Sequence, residues 1–408
     1  AYLQSPFLMT FKTLNSVHRN ENNKGEMLMK TVLGLDRIGE YGEWFEGRKI
    51  GLITNYSGIN SAWENNIDLF EKAGYDLAKL YTPEHGLYGA ADGAAIENGV
   101  YPGYNIPIIS LYGDKKKPSK EDLEGVDILV YDIQDVGLRY YTFIYTMAYC
   151  MQAAAEKNIP FVVLDRPNPL GAKIISGACI IPELASFVGA YELPVRYGLT
   201  CGELGAYFKK YDKLDLDYRL IEMKNYTRDM TYPDTGLIWN IPSPALPGFK
   251  NTLCYCGGCF TEATNISEGR GTPKPFQMYG TPYTDMDALY DCLKKEITEE
   301  NIAFRKRTFV PFVGKYKGEV CFGVEYEPLS NTIDFIPIAL KTLKAIKDLN
   351  PEKFAYRIQE EENHLDALIG DHSGYDYLEG KRTLEEVLLN WKAQSALFEE
   401  KAAEYYLY

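Results

Sequence analysis

The sequence predicts an α/β protein, with a Rossmann-like parallel-sheet N-terminal domain and a smaller α+β C-terminal domain. Short apolar runs alternate with helical patterns from about residue 49 to 223, which is typical of the βαβ units of a parallel sheet. A stretch rich in Pro and Gly over 232–258 then precedes a region with a different pattern. The length of 408 residues also favours two domains, since single cores rarely grow that large.

These observations divide the chain into three expected parts. Residues 1–30 are polar and aperiodic and are expected to be flexible. Residues 31–250 are expected to form the Rossmann-like domain, and residues 251–408 the C-terminal α+β domain. The Pro/Gly-rich stretch is expected to be a long crossing between these two domains.

In the first domain, apolar runs predict the strands and helical spacing predicts the helices. Thr200 and Glu203 have the spacing of a capping box, which predicts a helix from there to about Tyr211. The remaining predicted elements are strands at 49–54, 77–81, 107–111, 126–131 and 161–164, and helices at 62–73 and 141–157.

In the second domain, the pattern predicts mostly helices around one strand-rich segment. The strand-rich segment covers 309–326, and the predicted helices are 284–298, 335–348, 351–363 and 383–403.

Composition excludes some classes of partner. Hydrophobic content of 46% and charged content of 25% fit a soluble globular protein. The net charge of −14 argues against nucleic acid or an anionic membrane as the main partner. No apolar run reaches membrane-spanning length. No secretory signal is visible, although the chain begins at Ala1 rather than Met, as it would after removal of one.

Polar motifs follow three of the predicted strands, at residues 81–86, 131–137 and 165–169. The carboxyl ends of parallel strands meet at one edge of a sheet, where ligands bind in α/β proteins. The sequence therefore predicts a cleft lined by the side chains of Glu84, His85, Asp132, Arg166 and Asn168.

Glu84 is the leading candidate for a general acid. Pro83 and Gly86 frame it in a tight turn at a strand end, where burial can raise the pKa of a carboxyl toward neutrality. The alternative is a turn carboxylate that only caps a backbone group.

The motif after the strand at 126–131 offers a second carboxylate and several polar groups. Asp132 comes first after the apolar run and is the better site candidate, whereas Asp135 and Arg139 have the spacing of a helical ion pair. Arg139 can instead orient a carboxylate in the cleft through its planar guanidinium. Gln134 and Tyr141 are further candidates for substrate binding, as is Asn55 after the first strand.

A polar, glycine-flanked segment at 261–272 lies beyond the crossing. It carries Glu262, Asn265, Glu268 and Arg270. A carboxylate from this segment that faced Glu84 would complete the pair that glycoside hydrolysis needs. The glycines of the segment do not match a phosphate-binding loop, and no GxGxxG fingerprint follows the first strand, so no nucleotide cofactor is expected.

The cysteines do not predict a metal site. Cys254, Cys256 and Cys259 are the only clustered ones among eight, and no fourth Cys or His is near them in the sequence. We interpret them as small, half-buried residues in a turn beside Gly257 and Gly258. No GxSxG elbow or conventional Cys-His pair is present.

Taken together, the motifs resemble the family named for the exo-β-N-acetylmuramidase NamZ. Glu262 matches the family's Phe-Glu-Gly-Thr-Asn motif, whereas its neighbours Thr261 and Ala263 differ from it. The pieces that match in the family's order are Pro-Glu-His-Gly at 83–86, residues 131–139, 165–171, 198–204 and 242–244, and Asn-Ile-Ser-Glu-Gly-Arg-Gly-Thr at 265–272.

The resemblance implies a Rossmann-like domain, an active site in the cleft between the two domains, and Glu84 as the leading catalytic residue. It also implies an exo-acting glycosidase that removes N-acetylmuramic acid from the non-reducing end of peptidoglycan fragments, in the cell envelope (periplasmic or secreted). A pair of catalytic carboxylates needs no metal or other cofactor.

From this we expect Glu84 as general acid, with His85 and Asp132 beside it, and Glu262 or Glu268 as the second carboxylate. The expected substrate-binding residues are Asn55, Gln134, Arg139, Tyr141, Arg166, Asn168, Asn265 and Arg270. One alternative is a protein that binds amino sugars or muropeptides without turnover. Another is an enzyme that uses a nucleotide or phosphosugar. The oligomeric state stays open.

Overall fold

The structure is a computed structural model that describes residues 30–89, 98–359 and 362–408. The predicted flexible segment therefore lies, except for Lys30, outside the described residues. The strands are β1 (Lys49–Thr54), β2 (Asp76–Thr82), β3 (Gly99–Tyr101), β4 (Ile106–Ser110), β5 (Ile128–Asp132), β6 (Phe161–Leu164), β7 (Ser176–Cys179), β8 (Pro194–Arg196), β9 (Tyr218–Ile221), β10 (Met278–Thr281), β11 (Ile302–Phe309), β12 (Cys321–Pro328), β13 (Ile358–Gln359) and β14 (Glu362–Asn363).

The α-helices lie between and after these strands. They are α1 (Asn66–Lys72), α2 (Phe143–Lys157), α3 (Cys201–Tyr211), α4 (Phe249–Gly258), α5 (Met286–Glu296), α6 (Ile336–Leu349), α7 (His364–Ile369), α8 (Ser373–Leu378) and α9 (Leu384–Ala402).

A large, mainly parallel sheet confirms the predicted α/β class. Its order is β3-β4-β2-β1-β5-β6-β9, and only the edge pair β3/β4 is antiparallel. The central strands β5 and β6 are buried along their whole length. Helices and loops cover both faces of such a sheet, which explains why these strands read as continuous apolar runs.

The predicted elements of the first part agree with the structure to within a few residues. β1 and β6 have the predicted bounds, and α3 begins at the predicted capping box, in which Thr200 and Glu203 satisfy each other's backbone N–H groups. This agreement reflects local signals: apolar runs for the strands and cap chemistry for the helix.

The second part contains an antiparallel sheet of order β10-β12-β11 packed with helices α4 to α6. A continuous cluster of buried apolar side chains runs from β1 and β5 through α4 and α6 to α9. The division between residues 250 and 251 stays a prediction, and helix α4 runs across that position.

The prediction of an unstructured crossing over 232–258 is wrong at its C-terminal end, where α4 forms. Cys254 and Cys256 therefore lie on a buried helix and not in a turn. Gly257 allows α4 to pack closely against α6. A Cβ there would lie 2.8 Å from the Ile336 Cα and the Ala339 Cβ of α6, so glycine permits the two helices to approach closely.

The predicted helix over 351–363 is also wrong. Residues 355–357 instead pair with the backbone of 263–265: the Asn265 N–H donates to the Ala355 carbonyl at 3.0 Å, and the Arg357 N–H donates to the Ala263 carbonyl at 2.8 Å. β13 and β14 follow. A tertiary contact across about ninety residues here overrides local helix propensity.

Within the described ranges, no helix is long and apolar enough to cross a membrane.

Candidate active site

Glu84 lies in the turn that follows β2, at the carboxyl edge of the sheet. Its side chain is half-buried, and its Oε2 accepts a hydrogen bond of 2.7 Å from the Thr142 hydroxyl. Thr142 is the N-cap residue of α2. Glu84 therefore contacts the residue at which α2 begins, close to the N-terminal end of that helix.

His85 shapes the turn that presents Glu84. Its φ of +69° is left-handed, and Gly86 follows with a φ of +65°. Two consecutive residues in this conformation turn the chain sharply. A non-glycine residue with positive φ has an unfavourable backbone energy, and such residues cluster at functional sites. The imidazole is buried, with its Nε2 3.2 Å from the Ser243 hydroxyl and its ring edge-on to Phe143.

The loop at 240–243 closes this region. The hydroxyls of Tyr56 and Tyr141 both donate to the Pro242 carbonyl at 2.6 Å. Tyr141 was predicted to bind substrate, and the structure places its hydroxyl on this backbone oxygen. Together with the contact between Ser243 and His85, these bonds join the loop to the turn that carries Glu84.

Asp132 and Arg166 form a buried ion pair at the same edge of the sheet. The Arg166 Nε donates to the Asp132 Oδ1 at 2.7 Å, and the Asn66 amide donates to the Asp132 Oδ2 at 2.7 Å. Burial lowers the pKa of the Arg166 guanidinium, but the Asp132 carboxylate outweighs it and leaves the pKa raised. Arg166 also donates to the Ile59 carbonyl at 3.0 Å.

Gln134 and Arg166 line one small crevice beside this pair, together with Ser57, Ile59 and Asn240. The Gln134 amide donates to the carbonyls of Asp135 and Pro167 at 2.8 and 2.9 Å. The crevice is therefore lined by a polar network already held in place by the loops around it.

Asn168 and Asn55 are buried and serve neighbouring turns. Asn168 donates to the Leu199 carbonyl at 3.0 Å and accepts from the Leu170 N–H at 3.1 Å. The Asn55 Oδ1 accepts from the N–H and the hydroxyl of Ser57 at 2.9 and 2.6 Å. Its Nδ2 is buried and has no hydrogen-bond partner within the described part of the chain.

Arg139 lies in the core, away from any cleft. It is completely buried, and its guanidinium donates to the carbonyls of Ala178, Leu193 and Leu368 at 2.6–3.1 Å. Burial lowers the pKa of this guanidinium. It is not paired with Asp135, whose Oδ2 accepts from the Gly137 N–H at 2.6 Å and from the Tyr197 hydroxyl. The hydrogen bonds of Arg139 join β7 and the residue before β8 to α7, so Arg139 stabilises the fold.

A second charged cluster forms around residues 262–270. The Arg270 Nη2 lies 2.7 Å from the Glu262 Oε1, and its Nε lies 3.4 Å from the Glu268 Oε1. Glu268 is buried, whereas the side chains of Glu262 and Arg270 are each 27% exposed. Burial raises the pKa of Glu262 above its usual value, Arg270 opposes the rise, and the nearby charge of Glu268 adds to it.

Asn265 lies beside this cluster and makes hydrogen bonds to the neighbouring segment 353–355. Its amide donates to the Lys353 carbonyl at 2.8 Å, while its Oδ1 accepts from the Ala355 N–H at 3.0 Å and from the Tyr283 hydroxyl at 3.1 Å. Its polar atoms therefore hold residues 353–355 in place.

An aromatic layer runs between the two groups of charged residues. Tyr140 packs edge-on against Tyr255 at 5.2 Å, and its hydroxyl donates to the Tyr255 carbonyl. Tyr255 contacts Phe276 at 4.6 Å, and the Arg270 guanidinium lies 5.2 Å from the Phe276 ring. No hydrogen bond or ion pair between described residues joins Glu84 to Glu262 or Glu268, so their facing arrangement stays a prediction.

Sequence reasoning missed three contributors to these groups. Thr142 and Ser243 were not singled out because a hydroxyl in a turn carries no distinct signal, although Ser243 lies in one of the matched motifs. Lys315 reaches Glu268 at 3.0 Å from a loop about fifty residues away, which no local pattern indicates. Within the described ranges, no group of three or more His, Cys, Asp or Glu is placed to hold a metal.

Comparison with known proteins agrees with the motifs. The family model described as exo-beta-N-acetylmuramidase NamZ, N-terminal, matches residues 50–250, and the corresponding C-terminal model matches 253–408. A relative from Bacillus subtilis (strain 168), named peptidoglycan beta-N-acetylmuramidase NamZ, is 38% identical over 98% of this chain and 97% of its own length.

Two solved structures share the fold. Both are crystal structures of DUF1343 family proteins from Bacteroides fragilis NCTC 9343. One has a TM-score of 0.85 at 31% identity, and the other a TM-score of 0.72 at 27% identity; each comparison covers 93% of this chain and 99% of that one. Because the family models span nearly all of residues 50–408 and the relative matches end to end, this chain belongs to the exo-β-N-acetylmuramidase NamZ family of glycoside hydrolases.

Proposed function

We propose that this protein is an exo-acting glycoside hydrolase that releases N-acetylmuramic acid from the non-reducing end of peptidoglycan fragments, with Glu84 as the general acid. The placement of Glu84 carries the proposal. It is a half-buried carboxylate at the carboxyl edge of a parallel sheet, and the structure gives it one hydroxyl partner, at the start of α2.

These surroundings suit a group that gives up a proton. As Glu84 protonates the leaving oxygen, negative charge develops on its carboxylate. The Thr142 hydroxyl, at the start of α2, already donates to that carboxylate, so it stabilises the charge without reorganisation. The hydrogen bonds of Tyr56, Tyr141 and Ser243 to their partners keep the turn that carries Glu84 in place.

The second carboxylate comes from the cluster at 262–270. Glycoside hydrolysis needs a second carboxylate within roughly 5–9.5 Å of the first. Glu262 and Glu268 are the candidates, because Arg270 holds both of them. The aromatic layer from Tyr140 to Phe276 supports a site shared with Glu84, since Tyr140 directly precedes Tyr141 of the Glu84 region.

Arg270 is the best candidate for recognition of the lactyl carboxylate of N-acetylmuramic acid. Arg139 and Arg166 are buried and occupied by carbonyls and by Asp132. Arg270 is partly exposed, and a planar guanidinium suits a carboxylate partner. We also propose that the protein acts in the cell envelope, where peptidoglycan lies. Recovery of the tagged protein from the cytoplasmic fraction alone would contradict this.

The test uses two reducing-end-tagged disaccharides that differ only in the lactyl group of the non-reducing sugar. We expect release of N-acetylmuramic acid from the first and no comparable release of N-acetylglucosamine from the second. Binding of both without release would instead indicate a non-catalytic amino-sugar-binding protein. Equal cleavage of both would show a glycosidase that does not recognise the lactyl group.

A further inference from the structure

Lys315 makes three hydrogen bonds, one to the Glu268 carboxylate and two to backbone carbonyls on either side of Glu262 in the sequence. It lies in the connection 310–320 between β11 and β12. Its Nζ donates to the Thr261 carbonyl at 2.7 Å, to the Ile266 carbonyl at 2.9 Å and to the Glu268 Oε2 at 3.0 Å. The Thr261 carbonyl lies in the 3₁₀ turn that carries Glu262, and the Ile266 carbonyl lies two residues before Glu268.

The connection is docked on this segment, so Lys315 is not a loose surface side chain. The Phe312 N–H donates to the Gly271 carbonyl at 3.0 Å. Gly271 has a φ of +76°, and a Cβ there would lie 2.5 Å from the Val313 nitrogen, so the two backbones touch. On the other side, Tyr316 contacts Tyr283 edge-on at 6.5 Å.

Each glutamate of the cluster lies next to a positively charged side chain. Arg270 contacts both glutamates, whereas Lys315 forms its ion pair with Glu268 alone. Glu268 is only 4% exposed, so without a cation its charge would be costly to bury.

Other titratable groups also lie near this cluster. Glu268 acts electrostatically on Glu262, the Cys259 thiol and the Tyr279 hydroxyl. His364 lies near both Lys315 and Arg357.

We propose that Lys315 is a positioning residue which holds Glu268 in place as the second catalytic carboxylate and fixes the backbone around Glu262 relative to it. This inference rests on the proposed hydrolase function. It chooses Glu268 over Glu262, because Glu268 is the buried carboxylate that two cations hold in one orientation. Among the described residues, Arg270 is the one cation within ion-pair distance of Glu262, whose side chain is 27% exposed.

The test compares Lys315→Met with Lys315→Arg and with Lys317→Met. Met keeps the length and apolar stem of the lysine but has no charge or donor. Lys317 is exposed in the same connection, so its variant removes the same charge without touching Glu268. On the muramic disaccharide we expect Lys315→Met to lose about 10²-fold in kcat, the typical cost of a displaced catalytic group, with little change in KM.

The split between kcat and KM, together with Tm, separates positioning from mere support of the fold. Displacement of Glu268 should lower kcat in Lys315→Met while KM stays close to the wild-type value and Tm stays well above the assay temperature. Lys315→Arg keeps the charge and the donors and should restore most of kcat. Lys317→Met should behave like the wild type in all three measurements.

Several outcomes would overturn the inference. One is wild-type kcat in Lys315→Met. Another is a loss of kcat that accompanies a lower Tm and is not rescued by arginine. If Lys315→Met does not fold, the comparison of Glu268→Gln with Glu262→Gln tests the choice of Glu268. A loss of kcat in Glu262→Gln that equals or exceeds the loss in Glu268→Gln contradicts that choice. Failure of the proposed function is distinct, because the wild type itself would then release no N-acetylmuramic acid.

Discussion

The Arg166 guanidinium pairs with the Asp132 carboxylate at 2.7 Å, and both side chains are buried at the carboxyl edge of the large sheet. Asp132 is the last residue of β5 and Arg166 follows β6, so the pair joins the ends of two neighbouring strands. Asp132 was expected to be catalytic and Arg166 to bind substrate. Their pairing leaves Arg166 with one face toward the crevice that Gln134 also lines.

We expect Asp132→Asn to destabilise the protein by about 3–5 kcal/mol, because it leaves the buried Arg166 charge without its partner. Denaturant unfolding measures this difference. The matched control is Lys210→Met, which breaks the exposed pair of Lys210 and Glu404 at 2.7 Å and should change stability little, because solvent screens that pair. Similar values for the two variants would show that the Asp132–Arg166 pair does not hold the strand ends together.

We expect Glu84→Gln to keep the fold and to lose about 10²–10⁴-fold in kcat on an unactivated disaccharide, since glutamine cannot deliver a proton. The loss should be smaller on a substrate with an activated aryl leaving group, which needs less protonation. Glu124→Gln, at an exposed position, serves as the control and should be as active as the wild type. Near wild-type turnover of the unactivated disaccharide by Glu84→Gln would remove this residue from the role of general acid.

We expect Arg270→Ala to weaken the muramic substrate by about 1.5–3 kcal/mol, the range for a hydrogen bond to a charged group. Binding of an N-acetylglucosamine analogue should barely change, because it lacks the lactyl carboxylate. Inhibition constants for the two sugars give the comparison. If both sugars weaken equally, Arg270 serves to hold Glu262 and Glu268 and is not a clamp for the lactyl group.

Asp165 should contribute a loss of stability as the pH rises from about 4 to about 7, because burial raises its pKa from 3.8 to about 7. In that window the unfolded chain has released this proton while the folded chain still holds it, so ionisation favours unfolding. Asp135, whose pKa burial raises to about 6, contributes with the same sign. Denaturant midpoints measured across this range should show a flatter profile for Asp165→Asn than for the wild type, and an unchanged slope in that variant would contradict the assignment.

One of the hydrogen bonds to the Asp165 carboxylate comes from Tyr408, the last residue of this sequence. The Asp165 Oδ2 accepts from the Tyr408 hydroxyl at 2.7 Å and from the Thr200 hydroxyl at 2.8 Å, and its Oδ1 accepts from the Gly202 N–H at 2.8 Å. The sequence placed Asp165 in a strand-end motif beside Arg166. The partner 243 residues away became visible only in the folded chain.

The sequence by itself determined strands β1, β2, β4, β5 and β6 of the large sheet, the helix that Thr200 caps, and the presence of polar motifs at the strand ends. These features depend on neighbouring residues: apolar runs that bury both faces of a strand, and side chains that cap their own helix. Once the sheet is parallel, geometry brings its carboxyl ends together, which is why Asp132 and Arg166 could be expected at one edge.

Only the tertiary structure decided where the polar side chains of these motifs lie and which residues they contact. Arg139 and Arg270 look equally suitable in the sequence, yet one donates to the Leu368 carbonyl in the core and the other is partly exposed beside Glu262. Likewise, the pairing of 355–357 with 263–265 replaced a predicted helix, and Lys315 reached Glu268 from another hairpin. Such contacts join segments that are distant in the chain, and their energies come from burial and pairing that exist only after the segments have packed together.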